Sequence, residues 1–278
     1  MSDRFRFGAN WLDYLRSVRI EHIQEATDRL SELVGDLKGK TFLDIGCGSG
    51  IHSLAAIRLG ASRVHSFDYD AESVLCAQEM RSRFASVPNW TVERGSALDE
   101  AYLRSLGQFD IVYSWGVLHH TGEMWKALDL VTLPAKEIIA ICIYKDQGIV
   151  SRAWRQLKRL YVNHPSLRPA VTFASLATIW GPKVLLLPHR AIPDWRNWKR
   201  KRGMSPWHDV VDWAGGYPFE FATASQVTNF YRERGFEPKI VRQFGRIIQM
   251  YEYVFVATRP LPERSISIDQ KRTRPGNA

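Results

Sequence analysis

Cysteine is scarce in this chain. Cys47, Cys76 and Cys142 are the only three in 278 residues, and they lie too far apart for a metal knuckle or a disulfide framework. That excludes a stapled secreted scaffold and points to a reducing compartment. The opening MSDRFRFGANW has no apolar core, which argues against a secretory leader. Nowhere do about 18 apolar residues run on uninterrupted, so no ordinary transmembrane helix is expected. No internal repeat is visible. Acid is in deficit: 29 Asp and Glu face 38 Lys and Arg, a formal charge of +9. Nucleic acid and anionic membrane are the two partners such a balance suggests. A hydrophobic content of 45% excludes a disordered or collagen-like chain. The expected location is the cytoplasm, including the inner membrane face.

What is present is an alternation of helix and strand. Val18 to Leu37 spaces Ile20, Ile23, Leu30, Leu33 and Val34 at near-helical intervals. Short apolar runs at Thr41–Ile45, Arg63–Phe67, Trp90–Glu93, Phe109–Tyr113 and Glu137–Tyr144 read as strands. Helical stretches at Ile51–Leu59, Ala71–Phe84 and Met124–Val131 separate them, which predicts βαβ units, a parallel sheet and helices on both faces. The pattern breaks after Tyr144. Between residues 147 and 208, twelve basic residues face one acid, Asp194, and Trp154, Trp180, Trp195, Trp198 and Trp207 are interleaved. This predicts a helical insertion. A helix at Ser225–Arg234 and an antiparallel pair, Pro238–Gln243 and Met250–Thr258, follow. The chain divides as an N-terminal helical lid (1–37), an α/β domain (38–145 and 221–260), an insertion capping the site (146–220) and a flexible tail (261–278).

The sharpest local signal is Leu43-Asp-Ile-Gly-Cys-Gly-Ser-Gly50, which ends one strand and opens one helix. Glycines there let backbone approach a ligand closely. Asp68, about 20 residues on at the end of the next strand, can accept both hydroxyls of a ribose. The spacing is GxGxG, not the GxGxxG of a dinucleotide loop, and no lysine follows to hold a phosphate. Asp44 beside the loop disfavours a phosphate and favours a ligand bearing an ammonium and a sulfonium. That points to S-adenosylmethionine.

LDIGCGSG, the acid in SFDYD, and FDIVYSWGVLHH resemble the three signature segments of class I S-adenosylmethionine-dependent methyltransferases. The resemblance covers about residues 38 to 145 and the terminal hairpin. It implies a Rossmann-like α/β fold with a seven-stranded, mostly parallel sheet whose last strand is antiparallel. It also implies roles by position. Gly46, Cys47, Gly48 and Gly50 line the methionine part, with Asp44 near its amino group. Asp68 and Tyr69 hold the ribose. Ser96 and Ala97 edge the adenine. Ser114 and Trp115 sit near the sulfonium. S-adenosylhomocysteine is the product such enzymes release.

Candidates for proton transfer are His119, His120, His208, Asp209, Asp212, Tyr217 and Glu220. His119 and His120 follow the fourth strand, at the rim facing an acceptor in such a fold. Imidazole titrates near neutral pH and suits a hydroxyl or phenol acceptor. On a helix, His208 and Asp212 are four apart and share a face. No metal is expected, since a lone His/Asp pair falls short of the three or four ligands a site needs. The N-terminal Phe5, Phe7, Trp11 and Tyr14 are candidates for a lid over the cofactor.

The place after the fourth strand reads Ser114-Trp-Gly-Val117, not the Asn/Asp-Pro-Pro-Tyr/Phe of amino-group methylating relatives. The function expected is methyl transfer to a small-molecule acceptor, amphiphilic or anionic, most readily at a hydroxyl. The alternatives are a peripheral-membrane enzyme acting on a lipid-linked or quinol substrate, and a nucleic-acid methyltransferase using the basic stretch. Nucleic acid ranks last, and a monomer or homodimer is expected.

Overall fold

The computed structural model describes Leu15 and residues 18–202, 206–245 and 247–258, with the side chains of 199–202 and 208 outside the description. The lid aromatics Phe5, Phe7, Trp11 and Tyr14 and the tail 261–278 therefore lie outside the described residues.

Seven strands form one sheet: β1 (Thr41–Ile45), β2 (Arg63–Asp68), β3 (Trp90–Arg94), β4 (Phe109–Trp115), β5 (Ala135–Tyr144), β6 (Phe236–Phe244) and β7 (Met250–Ala257). Their order is β3-β2-β1-β4-β5-β7-β6. β7 runs antiparallel to both neighbours, and every other pairing is parallel. This is the Rossmann-like α/β sheet that the alternating pattern and the resemblance predict.

One face is covered by α1 (Ile20–Val34), α2 (Ile51–Arg58) and α3 (Ala71–Phe84), which bury Ile23, Leu30, Leu33, Leu54, Ala77 and Met80 against Phe42, Val64 and Trp90. The other face is covered by α4 (Glu100–Ser105), α5 (Met124–Leu130) and α10 (Ala224–Arg232), whose Leu103, Leu128, Val227 and Tyr231 meet Phe67, Phe109 and Phe255. Removing this much apolar surface from water is the main stabilisation of both layers. The part of the expected lid that is described, α1, lays its apolar stripe on the sheet face. The α4 helix is too short to show periodicity in sequence, and is marked by its cap: Asp99 accepts from the Tyr102 backbone N–H at 3.0 Å.

The insertion holds four α-helices and no strand among the described residues: α6 (Ile149–Asn163), α7 (Arg168–Leu186), α8 (Pro188–Arg202) and α9 (Pro206–Gly215). Aromatic contacts run through its interior. Trp154 meets Trp213 at 5.3 Å, and Trp180 meets Trp195 at 4.7 Å. The Lys158 ammonium lies 3.6 Å from the Trp213 ring centre and donates to the Trp213 carbonyl. One expectation needs correcting. The stretch Pro165–Leu186 is long and apolar enough, by length and composition, to cross a membrane. Isolated polar residues interrupt the run without lowering its mean enough to matter.

The start of the sheet is pinned by Asp110. Its carboxylate accepts from the Thr41 N–H at 2.8 Å, the Thr41 hydroxyl at 2.9 Å and the Lys136 ammonium at 2.7 Å. Burial opposes ionisation, but these bonds win and hold the carboxyl at about 2. A depressed acid contributes stability that is present above its unfolded value near 3.8 and lost as pH falls toward 2. Asp110→Asn should therefore lower stability by about 2 kcal/mol at neutral pH. Urea midpoints of variant and parent should converge as pH drops from about 4 to about 2; a deficit independent of pH refutes the assignment.

Candidate functional site

β1 and β4 are neighbours, but their chain connections leave in opposite directions across the sheet. Such a switch in strand order opens a crevice at the carboxyl ends of the strands. A cavity of about 1200 Å³ lies there. Typical ligand sites run from about 300 to 1,000 Å³, so this one accommodates a cofactor and a second molecule.

The loop after β1 forms its floor. Gly46, Gly48 and Gly50 have φ of 74°, 52° and 76°, a region that favours glycine. A Cβ on Gly46 would stand 2.4 Å from the Val117 side chain, so the loop after β1 and the loop after β4 touch directly. Gly46 N–H and Cys47 N–H both donate to the Phe67 carbonyl, at 2.8 and 3.1 Å. Asp68 accepts from Gly48 N–H and from Asp70 N–H, each at 2.9 Å. The loop after β1 and the end of β2 are thereby locked around one carboxylate.

Asp44 is buried beneath. It accepts from the Ser53 hydroxyl at 2.5 Å; Ser53 and Ser66 share a 2.7 Å bond, and Trp90 Nε1–H donates to Ser66 at 2.8 Å. Burial raises the Asp44 carboxyl to about 7, the Ser53 bond opposes this, and the charge of Asp68 adds to it. Burial also raises Asp68, against the pull of its backbone bonds. A buried acid and a half-buried one facing the same cavity repel a phosphate and suit a ligand bearing a cation and hydroxyls.

Of the cofactor residues expected from sequence, Asp44, Gly46, Cys47, Gly48, Asp68 and Tyr69 line the cavity. Ser96, Ala97 and Trp115 join them. Two do not. Gly50 faces α3, where a Cβ would lie 3.0 Å from the Ala77 methyl, so it serves close helix packing. Ser114 is fully buried and donates to the Ile45 carbonyl at 3.0 Å, so it ties β4 to β1.

Among the proton-transfer candidates, His120, Asp209, Asp212 and Tyr217 line the cavity. His120 Nδ1 lies 2.6 Å from the Pro218 carbonyl oxygen. A carbonyl only accepts, so Nδ1 carries the proton and Nε2 the lone pair. His119 is fully buried, its ring 4.1 Å from Tyr144 and 4.5 Å from His120. Burial holds its pKa well below the ordinary value, reinforced by His120 and Lys158, with the Cys142 backbone offsetting a little. It packs as a neutral ring beneath the site. Glu220 is also displaced from the cavity: it accepts from Met124 N–H at 3.0 Å and caps α5. His208 lies on α9 as expected, but its side chain is outside the described residues. No three His, Cys, Asp or Glu side chains gather as metal ligands among the described residues.

Sequence reasoning missed His52 and Tyr144. His52, in the first turn of α2, lines the cavity 5.0 Å from Tyr113, and burial lowers its pKa to about 4. Its place two residues after the last loop glycine was the available signal. Tyr144, at the end of β5, meets both histidines.

Residues 24–114 match the protein-family model described as ribosomal protein L11 methyltransferase (PrmA). A crystal structure of magnesium protoporphyrin IX methyltransferase from Synechocystis PCC 6803 with bound SAH superposes with a TM-score of 0.52 at 17% identity, covering 87% of this chain and 86% of that one. The sheet has the fold of the class I S-adenosylmethionine-dependent methyltransferases, and over residues 24–114 the sequence is similar to theirs. S-adenosylmethionine is the cofactor of that class, and the paired acids and glycine floor fit it. A ribosomal protein L11 methyltransferase of Aliivibrio fischeri (strain MJ11) is 48% identical over 48 residues, 17% of this chain and 16% of that protein. A tRNA U34 carboxymethyltransferase of Shewanella baltica (strain OS155 / ATCC BAA-1091) is 37% identical over 93 residues, 34% of this chain and 27% of that one. The chain thus spans under a third of the length of either relative.

Gly46→Ala tests the cavity floor. The new methyl meets a stiff β-branched Val117 at a backbone angle alanine rarely adopts, costing about 1–3 kcal/mol. Calorimetry should show affinity for S-adenosylhomocysteine reduced about tenfold or more. Adding Val117→Ala should restore part of it. A double variant no better than Gly46→Ala alone would show that the contact is irrelevant.

Proposed function

We propose that this chain transfers the methyl group of S-adenosylmethionine to a hydroxyl of a small amphiphilic or anionic acceptor, with His120 receiving the hydroxyl proton. The observation that carries this reading is the His120 ring on the cavity wall, its Nδ1–H committed to the Pro218 carbonyl. That bond fixes the tautomer that can accept a proton at Nε2. When bound, the cofactor supplies an electrophilic methyl on a sulfonium. The chain does the rest. Asp44 and Asp68 bind the amino and ribose ends, Ser96 and Ala97 border the adenine, and Tyr69 and Arg94 sit at the rim. Trp115 and Val117 hold the wall beside the acceptor space, while Tyr217 and Asp212 approach from the insertion side. Ile179, Trp198, Phe244 and Ile248 give the remaining wall an apolar character that supports an acceptor with a hydrophobic body.

The family-model match ends at residue 114, before the insertion, and the two relatives match over only 48 and 93 residues. Matches this short carry no weight for the acceptor. A methyl-transfer panel should nonetheless hold a tRNA and a ribosomal protein beside phenols, sugars and quinols. Turnover confined to the macromolecules would overturn the small-molecule reading.

His120→Ala should lower kcat by about 10²–10⁴ and leave affinity for S-adenosylhomocysteine unchanged. Full turnover in that variant removes His120 from the proton path. A second measurement addresses Asp44. Its carboxyl is at about 7, and a cationic amino group beside it favours the ionised form. Binding of S-adenosylhomocysteine near pH ~6 should therefore release a proton, so the binding enthalpy should change with the ionisation enthalpy of the buffer. Asp44→Asn should abolish that dependence; a buffer effect that survives it excludes Asp44 as the source.

A further inference from the structure

The insertion carries an unusual concentration of exposed apolar side chains. Leu185 is 81% exposed, Leu186 77% and Phe173 71%, and Val184, Leu187 and Ile192 are exposed beside them. All but Phe173, which lies near the start of α7, gather at one end of a helical hairpin. Trp180 packs on Trp198 and on Trp195, and Lys183 pairs with Asp194, the contact pattern of two antiparallel helices joined at Leu187. Val184, Leu185 and Leu186 are consecutive, so they point to different sides of the helix end. No single neighbouring element covers them all. Monomeric proteins rarely leave an apolar patch of more than a few hundred Å² open.

The charge around this tip is of one sign. Arg190 sits on the hairpin end and is exposed, as are Arg168 and Arg196 further along the two helices. The single acid of the segment, Asp194, is taken up by Lys183. An apolar tip flanked by arginines matches a bilayer interface, where acyl chains accept leucines and anionic headgroups accept guanidinium groups. A nucleic acid offers the charge but nothing for the leucines.

We propose that the α7–α8 tip docks into the interface of an anionic lipid bilayer. The helix lies on the bilayer and does not cross it. Val171, Ser175 and Trp180 are buried against the protein, so one side of α7 is committed to packing. Arg168 and Lys183 also stand near its two ends. The same two helices supply Ile179 and Trp198 to the cavity wall, so the lipid-facing element and the acceptor wall are one unit. The docking itself holds whatever the acceptor is.

The test is vesicle flotation of the full chain, with phosphatidylcholine alone and with phosphatidylcholine containing phosphatidylglycerol, at low and high salt. The bound fraction should be about tenfold higher on the anionic vesicles at low salt and should fall as salt screens the arginines. Leu185→Glu/Leu186→Glu should lower it about tenfold or more. Both sites are exposed, so the variant should keep the parent's affinity for S-adenosylhomocysteine in calorimetry. Arg190→Glu, which leaves the leucines in place, should weaken binding to anionic vesicles alone. No flotation on either vesicle, or flotation unchanged in both variants, overturns the proposal. So does a stable dimer that Leu185→Glu/Leu186→Glu turns into monomers, because a second copy then covers the tip. Binding that resists alkaline carbonate overturns it too, in favour of a spanning helix.

Discussion

The site depends on keeping a carboxylate out of water. Asp44 sits at the end of β1, where the ligand loop begins, and its carboxylate accepts from the Ser53 hydroxyl. A buried acid of this kind is costly unless its surroundings are fixed. Ser53, Ser66 and Trp90 fix them, and they come from α2, β2 and β3. One hydrogen-bonded chain thus joins four elements under the glycine floor, and the cavity takes its negative character from the acid it supports.

The molecule divides into two halves of different physical character. The sheet half is apolar on both faces and uses backbone bonds around Asp68 to shape a cofactor pocket. The insertion half is built on indole contacts and a buried lysine. Trp115 belongs to both: it stacks on Tyr113 and Phe244 and lies under the Arg29 guanidinium at 4.8 Å, while its edge borders the cavity. Arg29 therefore links α1, an element far from the insertion, to the wall where an acceptor would rest.

Most of the sheet was legible in the chain. Strands bounded by glycine or aspartate announce themselves through short apolar runs, and the seven here fall within a residue or two of those runs. The glycine spacing and Asp68 were legible for the same reason: backbone approach and a strand-end acid are local requirements. Gly50 and Ser114 were misplaced because a motif shows which residues are close in sequence and not which way each one faces. Glu220 and His119 were misplaced for another reason. A capped helix end and a neutral ring beneath a pocket look, in a string of letters, like catalytic groups. His52 went unnoticed because one histidine in an apolar helix carries no periodic signal. The openness of the α7–α8 tip is a property of packing, so composition could suggest it but not place it.

The two ends of the insertion meet. Asp146 N–H donates to the Ala222 carbonyl at 2.9 Å, and Ala222 N–H donates to the Tyr144 carbonyl at 3.1 Å. The long helical segment leaves the sheet and returns to it through one hydrogen-bonded neck, with Pro218 and Glu220 bonded to the turn after β4 beside it. A segment anchored in this way can be lengthened, shortened or exchanged while the strands on either side keep their register. The neck is a natural splice point: the acceptor half could be replaced over evolution, or grafted by design, with the floor at Asp44 and Asp68 kept, provided the new segment again offers His120 the carbonyl that Pro218 supplies.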